Sequence, residues 1–269
     1  MPLNLALRLF ALEFKRAFAY RAEFWIGFLG NALSQFGVAY CLWAAMFAGL
    51  GKTILQGFTL PDMALYYLLI PLVERVVMGP EMNHISSEIY EGTLTRYLVY
   101  PVAFFRFKYV SALAQSLVFA GQMAAVVGVF LLIFGVPPAY HITGSGIALA
   151  LLASAIGTLL YFVLAACLEM VAFWADNVWS LMVLNKLVLH FLGGGLLPLV
   201  FFPQAMQTIL KLTPFPYLVS FPLRFLMGGM SMAEMETGFG VMAFWIVVLS
   251  LLASGIWRRG VKQYAGVGI

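Results

Sequence analysis

The sequence predicts an all-α polytopic membrane protein, and three observations carry that prediction. Of its 269 residues, 63% are hydrophobic and only 10% are charged, whereas soluble domains run near half and a quarter. Apolar runs exceeding the ~18 residues that suggest a spanning helix recur along the chain. Lys and Arg gather in the short polar segments between those runs, in a one-sided pattern. Spans and short loops use nearly every residue. The organisation is therefore a single transmembrane domain over 1–269, with no room for a soluble catalytic domain.

The first element is expected to be an interface helix over residues 1–22. Leu3, Leu7, Phe10, Phe14, Ala17 and Phe18 share one stripe at helical spacing, while Asn4, Arg8 and Lys15 lie away from it. Such a helix rests its apolar face in the membrane and turns its basic residues to anionic headgroups; a merely hydrophobic tail is the alternative. A cleavable signal is not expected, because Lys15, Arg16 and Arg21 follow the apolar stretch instead of preceding it.

Six spans follow. The first covers about 24–50 and the second about 63–82. A polar segment over 83–108 separates them from the third, about 109–134, which ends at the turn signal Gly135-Val136-Pro137-Pro138. The fourth runs over about 143–173, and the link Ala175-Asp176-Asn177 leads to the fifth, about 178–199. The sixth covers about 239–257. Between the last two, Pro203, Pro214, Pro216 and Pro222 cut 202–229 into pieces of about ten residues, each only ~15 Å long as a helix. Pro203 and Pro216 each suit the start of a short helix. In the first piece Gln204, Gln207 and Lys211 share one face, and Met206, Ile209 and Leu210 the other. A re-entrant helix pair dipping into the outer leaflet is expected, packed in protein or lining a cavity. Gly193-Gly194-Gly195 just before it allows a kink or a close neighbour.

Ten Lys and Arg fall on the side of both termini and of the segment after the second span, against Lys52, Lys211 and Arg224 on the other. Both termini are therefore expected in the cytoplasm. The net charge of +4 follows from the same bias and signals no nucleic acid. Cys41 and Cys167 lie inside apolar runs, where a thiol acts as a small apolar residue.

Gly49-Leu50-Gly51-Lys52-Thr53 imitates the end of a phosphate-binding loop, but Met46 stands where its first glycine belongs. No nucleotide site is expected. His84, His141 and His190 are dispersed, with no ligand at metal spacing. No serine or cysteine carries a nucleophile signature.

Ionisable residues within spans are functional candidates by default. These are Glu74, Arg75, Glu169 and Lys186, with His190 beside them. In an antiparallel hairpin, Glu169 and Lys186 lie at depths of ~10 and ~15 Å, within reach of each other. A salt bridge between the fourth and fifth spans is expected, with a direct role in transport as the alternative. Glu74 and Arg75 point about 100° apart and need separate partners, at a subunit interface or beside a conduit. Gly146, Ala150, Ser154 and Thr158 form a small-residue stripe suited to close helix packing.

The densest polar patch is 88–101, Glu88-Ile89-Tyr90-Glu91-Gly92-Thr93-Leu94-Thr95-Arg96-Tyr97-Leu98-Val99-Tyr100-Pro101. Glu88 and Glu91 put acid early in a helix, where its dipole favours negative charge. Gly92 offers a break, and the Tyr97 to Pro101 group returns the chain to the membrane. A compact protrusion carrying acids and aromatics suits a protein groove better than anionic lipid; an ordinary surface helix is the alternative.

The spacing Glu88-Ile89-x-x-Gly92-Thr93-Leu94-x-x-Tyr97-Leu98-x-x-Pro101 resembles the coupling helix of ABC-2 type transporter permeases. Gly193-Gly194-Gly195-Leu196-Leu197-Pro198-Leu199 with Phe202-Pro203, then Pro214-Phe215-Pro216-Tyr217, resembles that family's outer re-entrant helices. The tail from Arg259 to Gly268 is similar to the endings of one bacterial branch. The resemblance implies the membrane subunit of a bacterial inner-membrane exporter, with both termini inside. It also implies a second permease subunit, identical or different, and cytoplasmic ATPase partners that hold the ATP and Mg, leaving none in this chain. Glu88, Tyr90, Glu91, Gly92, Thr93, Leu94 and Tyr97 would then couple to the ATPase, and Gly194, Pro198, Pro203, Pro214 and Pro216 would shape the re-entrant segment. With so few charges to line a path, the cargo is expected to be amphipathic or hydrophobic, a drug-like molecule or a lipid. A secondary transporter driven by an ion gradient is the rival reading; it would require a buried ion site at mid-membrane.

Overall fold

The computed structural model describes residues 8, 10–12, 15, 21–79, 84–99, 103–137, 140–228 and 230–264. Helices dominate it. Among these residues the only strand-like pairing is an isolated bridge between Leu55 and Phe58. The expected interface helix lies largely outside the described residues, although Arg8, 10–12 and Lys15 are helical. Pro101 and the tail beyond Tyr264 lie outside them too.

The first long helix, α1, is Arg21–Leu50, and α2 is Leu60–Met78. Thr59 starts α2 with a reciprocal cap. Its hydroxyl accepts from the Asp62 backbone N–H at 3.4 Å, and the Asp62 carboxylate accepts from the Thr59 N–H at 2.8 Å. Two orphan donors of the first turn are thereby satisfied. Gly79 stops the helix at φ +69°, a conformation other residues rarely adopt. The second span is thus shorter at its far end than the apolar run predicts.

Two short helices follow, α3 (His84–Tyr90) and α4 (Leu94–Val99), then the long α5 (Phe104–Phe134). Helix α5 therefore begins inside the polar segment 83–108, five residues before the third span was expected to start. The next helix, α6 (Gly144–Glu169), is capped by the Thr143 hydroxyl and runs on into a 3-10 turn, Met170–Phe173. Helix α7 (Trp179–Leu192) has only 14 residues, about 21 Å at 1.5 Å per residue. The fifth apolar run is therefore not one helix to Leu199: it breaks at the triglycine. Past the break lie a 3-10 turn (Leu199–Phe201), α8 (Gln204–Leu210), a second 3-10 turn (Phe215–Leu218), α9 (Ser220–Met227) and the long α10 (Met232–Gln263).

Two helical stretches among the described residues are long and apolar enough to cross a membrane, Gly144–Phe173 and Met232–Gln263. The core forms where α2, α6, the Phe215–Leu218 turn, α9 and α10 meet, around Leu65, Leu69, Leu160, Leu218, Leu223 and Met242. The small-residue stripe packs there as expected: Gly146, Ala150, Ser154 and Thr158 are all buried. A Cβ at Gly146 would stand 2.7 Å from the Phe225 carbonyl oxygen, so the glycine sets how closely α6 and α9 approach. A second cluster, including Ile85, Ile89, Leu94, Phe104, Met170 and Val178, seats α3 and α4 on the ends of α6 and α7.

Pro203 does begin a short helix, since α8 starts at the next residue. Pro216 is the second residue of a 3-10 turn, Phe215–Leu218, and starts no α-helix. The two faces expected of α8 are only partly realised. Leu210 is buried, but Ile209 is exposed beside the polar face.

Candidate functional site

Three features bring the predicted residues together: an elbow made by α3 and α4, an acid that holds it, and a polar pair at the triglycine.

The elbow turns at Gly92, whose φ of +71° requires glycine. Thr95 closes the turn by donating its hydroxyl to the Gly92 carbonyl at 3.0 Å. Glu88 braces the inside. Its carboxylate accepts from the Lys108 ammonium at 2.6 Å and the Tyr97 hydroxyl at 3.2 Å, and the Thr93 hydroxyl donates to its second oxygen. Burial alone would push the Glu88 carboxyl up. The hydrogen bonds from Lys108, Thr93 and Tyr97, with the charge of Lys108, hold it below the usual carboxylate range. Burial, reinforced by Glu88, pushes the Tyr97 phenol up.

These contacts correct the expected surface. Glu88 is not a water-facing acid, because its side chain is only 14% exposed. Leu94 is fully buried, Ile85 and Ile89 are buried beside it, and the Tyr97 ring packs against Phe104 and Phe107. Tyr90 packs against the same cluster. The outward face is Glu91, Thr95, Arg96 and Val99. Of the residues expected to meet a partner, Glu91 alone is exposed; Gly92 and Thr93 are half-buried.

Glu169 supplies the hold on the elbow. It is buried at the end of α6, and its Oε2 accepts from the backbone N–H groups of Ile85 at 2.7 Å and Ser86 at 3.1 Å. Both lie in the first turn of α3, where donors have no partner within the helix. The expected Glu169–Lys186 salt bridge is therefore not formed. The reason is rotational. Helix α7 packs inward through Met182 and Leu189, and Lys186 stands on its exposed arc. Glu169 points instead across to α3.

The third feature joins α2 to α7. His190 Nδ1 lies 2.6 Å from Glu74 Oε1, both side chains being largely shielded. This contact supplies the partner that Glu74 was expected to need; Arg75, its neighbour, ends α2 as the basic residue of its last turn. Gly195 presses on the pair: a Cβ there would meet His190 Nδ1 at 2.5 Å and Glu74 Oε1 at 2.7 Å. Its N–H and that of Leu196 both donate to the His190 carbonyl, at 2.8 and 2.9 Å. Gly194 has φ +92°, and its carbonyl accepts from Tyr66 at 2.7 Å, while the Leu196 carbonyl accepts from Tyr67 at 2.8 Å. Two consecutive tyrosines of α2 thus clasp the break that follows α7. Pro198, Pro203, Pro214 and Pro216 all lie in the broken stretch beyond it, at the ends of short helical turns.

Lys108, Ile85, Ser86 and Tyr66 were missed as site residues; Gly195 was named only as part of a triglycine allowing a kink or a close neighbour, and that neighbour is the Glu74–His190 pair. Ile85 and Ser86 act through backbone N–H groups, which no side-chain pattern reveals. Lys108 lies twenty positions from Glu88. Among the described residues no cluster of His, Cys, Asp and Glu could hold a metal ion.

A comparison with protein families finds a match over residues 33–268 to the family described as ABC-2 family transporter protein. Comparison with curated proteins finds no match, and comparison with solved structures finds none either.

Proposed function

From the premise that the chain belongs to the ABC-2 family of transporter proteins, and so is a membrane transport component, we propose that it is the permease subunit of an ATP-driven exporter. Its working partners are cytoplasmic ABC ATPase subunits and a second permease copy or homologue. The chain crosses the inner membrane six times with both termini inside, and the broken stretch from Leu199 to Met227 dips into the outer leaflet. The cargo is amphipathic or hydrophobic.

The observation that carries this reading is the elbow. Helices α3 and α4 are bonded to each other through Glu88, Thr93, Tyr97 and Lys108, and to the end of α6 through Glu169. A push on its outward face would therefore reach α6 as a rigid displacement. A loop serving only to connect two spans needs no such bracing.

The test is co-expression with a candidate ABC ATPase, followed by co-purification and transport in vesicles. Stable co-purification and ATP-dependent cargo movement are expected. Transport that ignores ATP and follows an ion gradient would favour the secondary-transporter reading, which the half-buried Glu74–His190 pair between α2 and α7 recommends as the second choice.

A further inference from the structure

Helix α2 grips the break after α7 at two levels. At one, Tyr66 donates to the Gly194 carbonyl at 2.7 Å and Tyr67 to the Leu196 carbonyl at 2.8 Å. At the other, Glu74 Oε1 lies 2.6 Å from His190 Nδ1, with the two side chains 19% and 33% exposed. Tyr67 and Glu74 stand about two helical turns apart and so share a face. Between them Pro71, inside α2, leaves the Tyr67 carbonyl without its donor within the helix, and this is where the helix bends most easily. The His190 carbonyl accepts from the Gly195 and Leu196 N–H groups, and the Gly193 carbonyl from that of Ser220, where α9 begins. The pair therefore sits at the root of the broken stretch.

Going beyond the transport reading above, we propose that the Glu74–His190 pair is a proton-operated latch: with a proton on both ring nitrogens it holds the break against α2, and loss of one proton lets the break go. A proton lies between Nδ1 and Oε1 in either state, because two acceptors do not approach to 2.6 Å. The second proton belongs on Nε2. With it, an imidazolium and a carboxylate meet and their charges cancel. Without it, the Glu74 charge is left unbalanced in a shielded site, beside a neutral ring. The surrounding groups do not supply this dependence. Tyr66 on α2 and Tyr161 on α6 lie in the field of Glu74, and Lys186 on α7 in that of His190. Tyr67 and Arg75 flank the pair along α2. From the Phe215–Leu218 turn and α9 come Tyr217, bonded to the Lys211 carbonyl, and Arg224, paired with Glu234. Phenols, ammonium and guanidinium groups ordinarily keep their charge between about pH 5 and 8, where an imidazole changes its own.

The test is hydrogen–deuterium exchange of the stretch 190–202, on the permease alone in phosphatidylcholine nanodiscs, with protection taken relative to the intrinsic rate at each pH. Wild-type protection should fall about fivefold or more as pH rises from about 5 to 8. Glu74→Gln and His190→Gln should each abolish the change, and the swap of Glu74→His with His190→Glu should regain it. His141→Gln should leave it intact. Tyr66→Phe should lower protection at both ends of the range yet keep the change, which separates a proton-operated grip from a fixed one. Protection that does not vary with pH in the wild type overturns the proposal whatever the variants do, and so does an unaltered change in a folded His190→Gln variant. No ATPase is present and no transport is measured, so failure of the latch and failure of the exporter reading are distinguishable.

Discussion

The buried carboxylate of Glu169 accepts the backbone N–H of Ile85 at 2.7 Å, across 84 positions of sequence. One side chain at the end of α6 thus replaces the missing turn at the start of α3, and the Ser86 N–H shares the same oxygen. Displacing α3 relative to α6 would have to break these two hydrogen bonds.

Glu169→Ala should therefore loosen the elbow. It leaves two buried N–H groups without this acceptor, at a cost of about 1–3 kcal/mol each. Glu169→Gln keeps an acceptor oxygen and should lose less. Thermal unfolding in detergent, with limited proteolysis of 79–104, measures both. Equal stability of the Ala variant and the wild type would show that the contact holds nothing.

Glu88 gives the elbow a pH dependence of defined sign. Its carboxyl is held below the usual carboxylate range when folded, so protonation favours the loosened state. The stabilisation is fully present above the unfolded value of about 4.3 and is lost as pH falls through the lower folded value. Protection of 84–108 from protease should thus fall between about pH 4.3 and the folded value, and Glu88→Gln should flatten that change. A wild-type profile identical to that of the Gln variant would remove Glu88 as the brace.

Gly195→Ala should break the contact between α2 and α7. The new methyl would stand 2.5 Å from His190 Nδ1 and 2.7 Å from Glu74 Oε1, closer than atoms pack. Overpacking of this kind costs about 1–3 kcal/mol. The cost should shrink when Glu74 and His190 are first replaced by smaller residues, and a mutant cycle of unfolding free energies measures that coupling. Additive effects would mean the clash is relieved elsewhere.

Much of the fold was legible because membrane helices announce themselves by composition. The positions of the long helices, the break at Gly92, the packing stripe from Gly146 to Thr158 and the start of α8 after Pro203 all follow from local pattern. What was not legible depends on rotation and on backbone donors. Glu169 and Lys186 were paired because their depths lay within side-chain reach, but depth leaves the facing direction undecided, and α7 turns Lys186 outward. Glu88 was read as an acid of a protruding helix, yet Lys108, Thr93 and Tyr97 converge on it only once α5 folds back. The end of the fifth helix at Leu192 was obscured because apolar residues continue through the triglycine to Phe202.

The structure also divides the two acids of the elbow into separate experiments. Glu91 is exposed and Glu88 is bonded inward, so the same reversal should fail in different ways. Glu91→Lys should weaken attachment of the ATPase while changing stability by no more than about 0.5 kcal/mol, as surface substitutions usually do. Glu88→Lys sets a second ammonium against Lys108 and removes the acceptor of Tyr97 and Thr93, so it should destabilise the elbow before any partner arrives. Co-purification of the ATPase, read beside the melting temperature of the permease alone, separates the two. If Glu91→Lys retains normal attachment and normal cargo movement, the outward face of Glu91, Thr95, Arg96 and Val99 is not where the ATPase sits.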